Sequence, residues 1–246
     1  MKQFGLLGET LKHSFSKKYF NEKFASEQIA AHYELYELQE INDFPALLSE
    51  TQYLSGLNVT IPYKESVIEY LDCLDETAQK VGAVNVIKFM ETADKIILKG
   101  YNSDVYGFVE SIKPFLKKSH TQSLVLGTGG ASKAIKFGLE SLGITCKYVS
   151  RTAAEGQFTY SDLTEEVLRD YTVIVNATPL GMFPKINTCP NIPYGFLGAE
   201  HLLFDAVYNP EKTKFLHLGE QQGAVCVNGK EMLRLQADEA WRIWNE

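Results

Sequence analysis

Apolar positions along this chain follow two rhythms, and the rhythms alternate. Residues 2–8 form a strand-like run, and Ser16 then stands as a plausible N-cap for an amphipathic helix reaching about Ile29. His32 to Leu38 alternates as a half-buried strand does, and Asn42 caps a helix reaching about Ser49. Gly56 to Ile61 is again strand-like, and Pro62 suits the first turn of a following helix. Ala83 to Phe89 and Lys95 to Lys99 read as two strands around a turn at Glu91 to Asp94. A helix from Asp104 to about Lys118 leads into a second series. There, strands at 123–127, 144–149, 172–176, 202–205 and 224–227 alternate with helices at 131–142, 162–169 and 211–222. A last helix runs from about Glu231 to Trp244. Such alternation predicts an α/β protein: a parallel sheet with helices on both faces and right-handed crossings. The break near residue 103 divides it into two α/β units, and a boundary between units is a usual place for small ligands.

Composition narrows the classes. At 246 residues the chain is one large domain or two small ones. Its hydrophobic share of 45% and charged share of 22% are those of an ordinary globular protein. A net charge of −7 argues against a general nucleic-acid or anionic-membrane binder. No apolar run has the length to span a bilayer, and no signal peptide precedes the first strand, so a cytoplasmic protein is expected. Cys73, Cys146, Cys189 and Cys226 are scattered without a CxxC and read as reduced thiols. The five histidines lack metal-ligand spacing, and His13 reads as a loop histidine.

The most specific local signal is Ser123-Leu-Val-Leu-Gly127-Thr128-Gly129-Gly130-Ala131-Ser132. A strand feeding a glycine turn feeding a helix makes a phosphate cradle, because backbone N–H groups and the helix dipole face a pyrophosphate. The third fingerprint position holds Ser132 instead of Gly or Ala. About twenty residues on, the next strand ends in Ser150-Arg151-Thr152. A site for NAD usually carries an acid there to hold the ribose hydroxyl, whereas arginine suits a 2′-phosphate, so the spacing points to NADP(H). Glu155 has the wrong sign for a phosphate and leaves mixed NAD and NADP use open.

Several side chains in the first unit carry chemistry. Asn58 and Thr60 are two apart on a strand and share a face, while Val59 and Ile61 point the other way into a core. Lys64 falls in the first turn of the expected helix, a poor place for a cation. It is either a solvated surface lysine or one made acidic enough by the dipole and burial to exchange a proton near neutral pH. Asp104 is either a simple N-cap or the group that orients that ammonium. Asn85 interrupts an apolar strand with an amide that needs partners. Ser14 and Ser16 offer two hydroxyls at a helix start, which suits a carboxylate. Asn176-Ala-Thr178-Pro-Leu-Gly181-Met182 ends a strand with polar groups and a glycine, Tyr208 follows another strand end, and Gln236 lies on the last helix.

Taken together, His13-Ser14-Phe-Ser16, Asn58-Val-Thr-Ile-Pro-Tyr-Lys64, Gly82-Ala-Val-Asn85, Asn102-Ser-Asp104, Gly127-Thr-Gly-Gly-Ala131, Ser150-Arg-Thr152, Asn176-Ala-Thr178 and Met232-Leu-Arg-Leu-Gln236 resemble the shikimate dehydrogenase family over nearly the whole chain. The resemblance implies an N-terminal α/β substrate domain plus a Rossmann-like parallel-sheet NADP-binding domain. The first would comprise residues 1–103 and 229–246 and carry substrate binding and catalysis; the second would comprise 104–228. It further implies reversible reduction of 3-dehydroshikimate to shikimate, with Lys64 and Asp104 as the catalytic pair. Ser14 and Ser16 would hold the substrate carboxylate, Thr60, Asn85 and Gln236 the ring hydroxyls, and Tyr208 would line the substrate side. Residues 127–131 would cradle the pyrophosphate, Ser150, Arg151 and Thr152 would bind the 2′-phosphate, and the Gly229 backbone would approach the nicotinamide. The implied partners are the small-molecule substrate and NADP(H), with no nucleic acid, membrane or metal, in a monomer or homodimer. Quinate/shikimate or aminoshikimate dehydrogenases, or a non-catalytic dinucleotide sensor on the same fold, are the alternatives. Between Thr152 and Asn176 the chain is short, so one helix or strand of the usual nucleotide-binding half is expected to be trimmed.

Overall fold

The structure is a computed structural model that describes residues 1–12, 14–51, 53–152 and 154–246. The loop reading of His13 and the residue Ala153 that follows Thr152 lie outside the described residues. The chain divides into two compact units, Met1–Ser103 with Ala237–Glu246, and Asp104–Gln236. The sequence expectation set the C-terminal return at residue 229; the contacts set it at Ala237, inside the last helix.

The first unit contains β1 (Lys2–Gly8), α1 (Phe15–Ser26), β2 (Ala31–Glu37), α2 (Phe44–Glu50), β3 (Leu54–Val59), β4 (Cys73–Leu74), α3 (Glu76–Val81), β5 (Val86–Glu91) and β6 (Ile96–Tyr101). Its sheet runs β2-β1-β3-β5-β6-β4. β1 pairs in parallel with β2 and β3, and the hairpin β5–β6 is antiparallel, as the turn at Glu91 to Asp94 requires. The sequence expectation of a helix starting at Pro62 fails. Residues 61–65 are successive turns, and only a 3₁₀ stretch follows, at Ser66–Tyr70. The reason is local. The Lys64 carbonyl accepts the Val84 N–H at 2.7 Å, so Ile68 donates to Glu65 instead, at 3.2 Å. Ile61 is 71% exposed, against the expectation that it joins the core, because β3 ends at Val59 and the chain turns away.

One face of this sheet is closed by aromatic packing. Phe4, Phe20 and Tyr33 meet Trp244 of the C-terminal segment and Phe24 meets Trp241, with Phe20 stacked on Tyr33 at 4.7 Å between centroids and Phe4 at 4.7 Å from Trp244. Each such pair adds about 0.5–1.5 kcal/mol beyond the area it buries. The Trp244 indole N–H donates to the Ile87 carbonyl at 3.1 Å. Glycine at position 56 makes room for it: a Cβ there would lie 2.3 Å from the indole nitrogen.

The second unit begins with α4 (Asp104–Ile112) and continues with β7 (Gln122–Leu126), α5 (Gly130–Ser141), β8 (Thr145–Ser150), β9 (Phe158–Thr159), α6 (Glu165–Asp170), β10 (Val173–Asn176), β11 (Leu202–Asp205), α7 (Lys214–Gln221), β12 (Val225–Asn228) and α8 (Lys230–Asn245), whose last turns belong to the first unit. Its sheet is all parallel, ordered β12-β11-β10-β7-β8-β9. This is the doubly wound order, with its reversal between β7 and β10. All six strands are kept. The expected trimming falls on the β8–β9 crossover, which has no helix among its described residues, and on β9, which has only two residues. β7, β10 and β11 are fully buried over Leu124–Leu126, Val173–Val175 and Leu202–Phe204, which is why they read as continuous apolar runs. α8 crosses α4 closely at Gly107, where a Cβ would lie 2.7 Å from the Met232 carbonyl oxygen.

Candidate active site

In the first unit, buried amides tie strand ends together. Tyr33 donates its phenol to Asn58 Oδ1 at 2.7 Å, and Asn58 Nδ2 donates to the Asn85 carbonyl at 3.2 Å. Burial pushes the Tyr33 phenol well above its ordinary value, so it stays a donor. Asn85, 2% exposed, accepts the Ser103 N–H at 2.7 Å and donates Nδ2 to Ser103 Oγ at 3.0 Å. Asn102 Nδ2 donates to the Ala83 carbonyl at 2.8 Å. The partners that the Asn85 amide demands are therefore partly internal. One bond is left over, since an amide group can donate twice. Ser103, which the sequence reading passed over, is the residue that uses Asn85. Its signal was the retained hydroxyl at a position that lies between Asn102 and Asp104.

These bonds place the reactive candidates. The Val84 N–H holds the Lys64 carbonyl, and the next residue, Asn85, holds Ser103, the chain neighbour of Asp104. Lys64 is half-buried, in a turn and not in a helix, so the dipole argument for an acidic ammonium has no helix behind it. Asp104 is buried and is the first residue of α4, not its cap; a carboxylate in the first turn complements the helix dipole. Thr60 follows the end of β3, half-buried, with its Cγ2 close over Gly8.

Ser14, not Ser16, takes the N-cap position of α1, and its side chain caps nothing. Its buried hydroxyl oxygen has no hydrogen-bond partner among the described residues. An orphaned hydroxyl beside open helix N–H groups is a place for an external acceptor such as a carboxylate. Ser16 is buried within α1, near enough to the Tyr33 phenol to oppose the upward shift that burial gives it.

In the second unit the strand register gathers polar groups at the carboxyl edge of the sheet. Leu126 pairs with Val149 and Asn176, and Asp205 pairs with Asn176 and Asn228. Gly127 follows directly with φ +98°, a conformation that a residue with a side chain rarely adopts. A Cβ there would also lie 2.8 Å from Thr178 Cγ2, whereas nothing stands within 4 Å of one at Gly129. Thr128 and Gly129 are exposed, Gly129 caps α5, and Gly130 and Ala131 form its first turn. Open space above a glycine turn and free helix N–H groups is what a dinucleotide pyrophosphate fits. Ser132 explains its departure from the fingerprint. It is fully buried and donates its hydroxyl to the Gly129 carbonyl at 2.6 Å, so it braces the turn from below.

Ser150 ends β8 and its hydroxyl accepts the Thr152 N–H at 3.3 Å. Arg151 and Thr152 are exposed, and the Arg151 guanidinium lies near enough to Tyr160 to oppose the upward shift that burial gives that phenol. Tyr208 is half-buried with its phenol pushed up by burial. Gly229 lies against β11, where a Cβ would meet the Ala206 carbonyl oxygen at 2.4 Å, so its glycine serves backbone packing whatever else it does. Gln236 is half-buried and donates Nε2 to the Leu233 carbonyl at 3.0 Å, a bond within its own helix.

The parallel sheet and its glycine turn define a Rossmann-like nucleotide-binding unit, here joined to a mixed α/β unit. Residues 6–87 match the description of the shikimate dehydrogenase substrate binding domain. A shikimate dehydrogenase (NADP⁺) of Clostridium beijerinckii is 35% identical, over 100% of this chain and 93% of its own length. Another, of Methanosphaera stadtmanae, is 33% identical over 98% of this chain and 90% of its own. Shikimate 5-dehydrogenase of Thermus thermophilus, solved with NADP(H) and shikimate, is 29% identical and superposes with a TM-score of 0.86, over 99% of this chain and 93% of its own. The chain belongs to the shikimate dehydrogenase family.

Proposed function

We propose that this protein catalyses the reversible reduction of 3-dehydroshikimate to shikimate with NADPH. The observation that carries the reading is the frame that links the two reactive candidates: Val84 holds the Lys64 carbonyl, and Asn85 pins Ser103, the residue before Asp104. NADP(H), when bound, supplies or accepts the hydride. Gly127, Thr128, Gly129, Gly130 and Ala131 would hold its pyrophosphate, Ser150, Arg151 and Thr152 its 2′-phosphate, and Gly229 would face its nicotinamide end through the backbone. The Lys64 ammonium donates the proton to the substrate oxygen during reduction and takes it back during oxidation, while Asp104 orients Lys64. The Ser14 and Ser16 hydroxyls bind the substrate carboxylate, and Thr60, Asn85 and Gln236 bind its ring hydroxyls, with Tyr208 on the substrate side. Ser14 is the stronger one for that role, because its buried hydroxyl has no hydrogen-bond partner among the described residues.

Substrate binding and catalysis belong to the N-terminal unit with the C-terminal helix, and cofactor binding to the parallel-sheet unit. We place the protein in the cytoplasm as a monomer or homodimer; among the described residues no helix is long and apolar enough to cross a membrane. Lys64→Ala should lower kcat about a hundredfold or more with little change in NADPH affinity; wild-type turnover in that variant would remove Lys64 from the chemistry. Arg151→Ala should bring kcat/KM for NADPH and NADH about tenfold or more closer together, the scale of one lost charged hydrogen bond. An unmoved ratio would exclude Arg151 as the phosphate reader.

A further inference from the structure

Three hydrogen bonds to one carboxylate organise the carboxyl edge of the parallel sheet. Asp205, at the end of β11, is 0% exposed. Its Oδ1 accepts Asn176 Nδ2 at 2.9 Å and the Val207 N–H at 3.0 Å, and its Oδ2 accepts the Thr213 hydroxyl. Each donor anchors a different segment. Asn176 ends β10; its Oδ1 accepts both the N–H and the hydroxyl of Thr178, and its Nδ2 also reaches the Leu180 carbonyl at 3.2 Å. Val207 starts the turn that carries Tyr208, and Thr213 is the N-cap of α7. The Ala206 carbonyl between them is the surface on which Gly229 rests.

We propose that Asp205 is a positioning residue. It fixes the loop after β10, through Thr178 and Leu180, and the segment to Tyr208 in one arrangement, so that the reacting end of the dinucleotide meets preset walls. This rests on the reading of the site as a dehydrogenase. Asp205 touches neither reactant. A buried carboxylate accepting three donors satisfies all of them, whereas its removal strands an amide N–H, a backbone N–H and a hydroxyl in the interior. The adenosine end of the dinucleotide site draws on Gly127 to Ala131 and Arg151, to which Asp205 makes no hydrogen bond among those described. Damage at Asp205 should therefore divide the site into two halves.

Asp205→Ala and Asp205→Asn separate the possibilities. Asparagine keeps Oδ1 for Asn176 and Val207, and its Nδ2 can donate to the Thr213 hydroxyl, which then accepts. In Asp205→Ala, kcat should fall about tenfold or more, while adenosine 2′,5′-bisphosphate binds within about twofold of wild type, the split that lost preorganisation of one half predicts. Amide hydrogen exchange of the unliganded protein should quicken in residues 177–182 and 206–208 but not in 127–135. Asp205→Asn should restore kcat to within about threefold and return exchange to the wild-type pattern. Thr213→Val, which deletes one donor and keeps the shape, should show the same local pattern at smaller size and decides the question if the alanine variant does not fold. Unchanged kcat and exchange in these variants overturn the proposal. So does a parallel loss of adenosine 2′,5′-bisphosphate binding with faster exchange throughout the second unit, which would make Asp205 a general support. Exchange and bisphosphate binding decide the role of Asp205 even if the wild-type protein fails to oxidise shikimate, so the two readings fail separately.

Discussion

The two sheets both place polar groups at strand ends, but they tie different things together. In the parallel sheet the strand interiors are apolar through Leu124–Leu126, Val173–Val175 and Leu202–Phe204, and the amide and carboxylate of Asn176 and Asp205 stand at the strand ends. In the mixed sheet the amides of Asn58, Asn85 and Asn102 lie buried at the ends of β3, β5 and β6 and offset their burial by bonding from one strand end to the next. The parallel unit is thus a cradle with an edge, and the proposed dinucleotide would meet it at a row of strand termini. The mixed unit is cross-braced from within: the bracing holds the turn that carries the candidate Lys64 and fixes Ser103, the chain neighbour of the candidate Asp104.

That contrast can be broken from the first unit. Trp244→Ala removes the ring that Phe4 and Phe20 pack on and the donor to Ile87. It should cost about 3–5 kcal/mol of stability by denaturant titration. Adenosine 2′,5′-bisphosphate should still bind, because its site lies in the other unit; joint loss of both would show that the units are not separable supports. A smaller effect should follow from Asn85→Ala, which leaves the buried Ser103 N–H without its acceptor. About 1–3 kcal/mol of stability should go, together with a fall in kcat that bisphosphate binding does not share. If turnover survives unchanged, the frame between the Lys64 turn and Ser103 does not organise the catalytic pair.

The smallest effect concerns pH. Burial raises the Asp205 carboxyl to about 6, above the ordinary carboxyl range. A carboxyl raised in the folded state contributes stability that is fully present below its unfolded pKa and is lost as pH rises through its folded pKa. Wild type should therefore gain of order 1 kcal/mol, relative to Asp205→Asn, on going from about pH 7 to pH 5. Parallel stability curves for the two proteins would contradict the buried charge.

The legibility of the two units differs for the same reason as their polarity. Apolar runs ending in Gly127, Ser150 and Asn176 announce both a parallel sheet and its polar edge, so the Rossmann-like half is readable strand by strand. Where α5 breaks the fingerprint, Ser132 supplies a bond whose partner, Gly129, lies three residues away. The mixed unit hides its bracing, because Tyr33, Asn58, Asn85 and Ser103 are far apart in sequence and each looks ordinary alone. The motif singles out Lys64 as a candidate, yet its local structure differs from what the sequence predicts. Pro62 signals a helix start by propensity, and only the distant Val84 N–H, which captures the Lys64 carbonyl, explains the turn that forms instead. Asp205 gave no signal beyond ending an apolar run, since its meaning lies in three donors brought to it by folding.

In the proposed reaction Lys64 exchanges the proton while the parallel unit presents NADP(H). The direct measurement is NADPH formation from shikimate and NADP⁺, followed by absorbance, in the wild type and in Lys64→Ala. The account predicts steady NADPH formation by the wild type and a rate about a hundredfold or more lower in the variant, with adenosine 2′,5′-bisphosphate affinity unchanged. No NADPH from the wild type, or equal rates from both proteins, would contradict it.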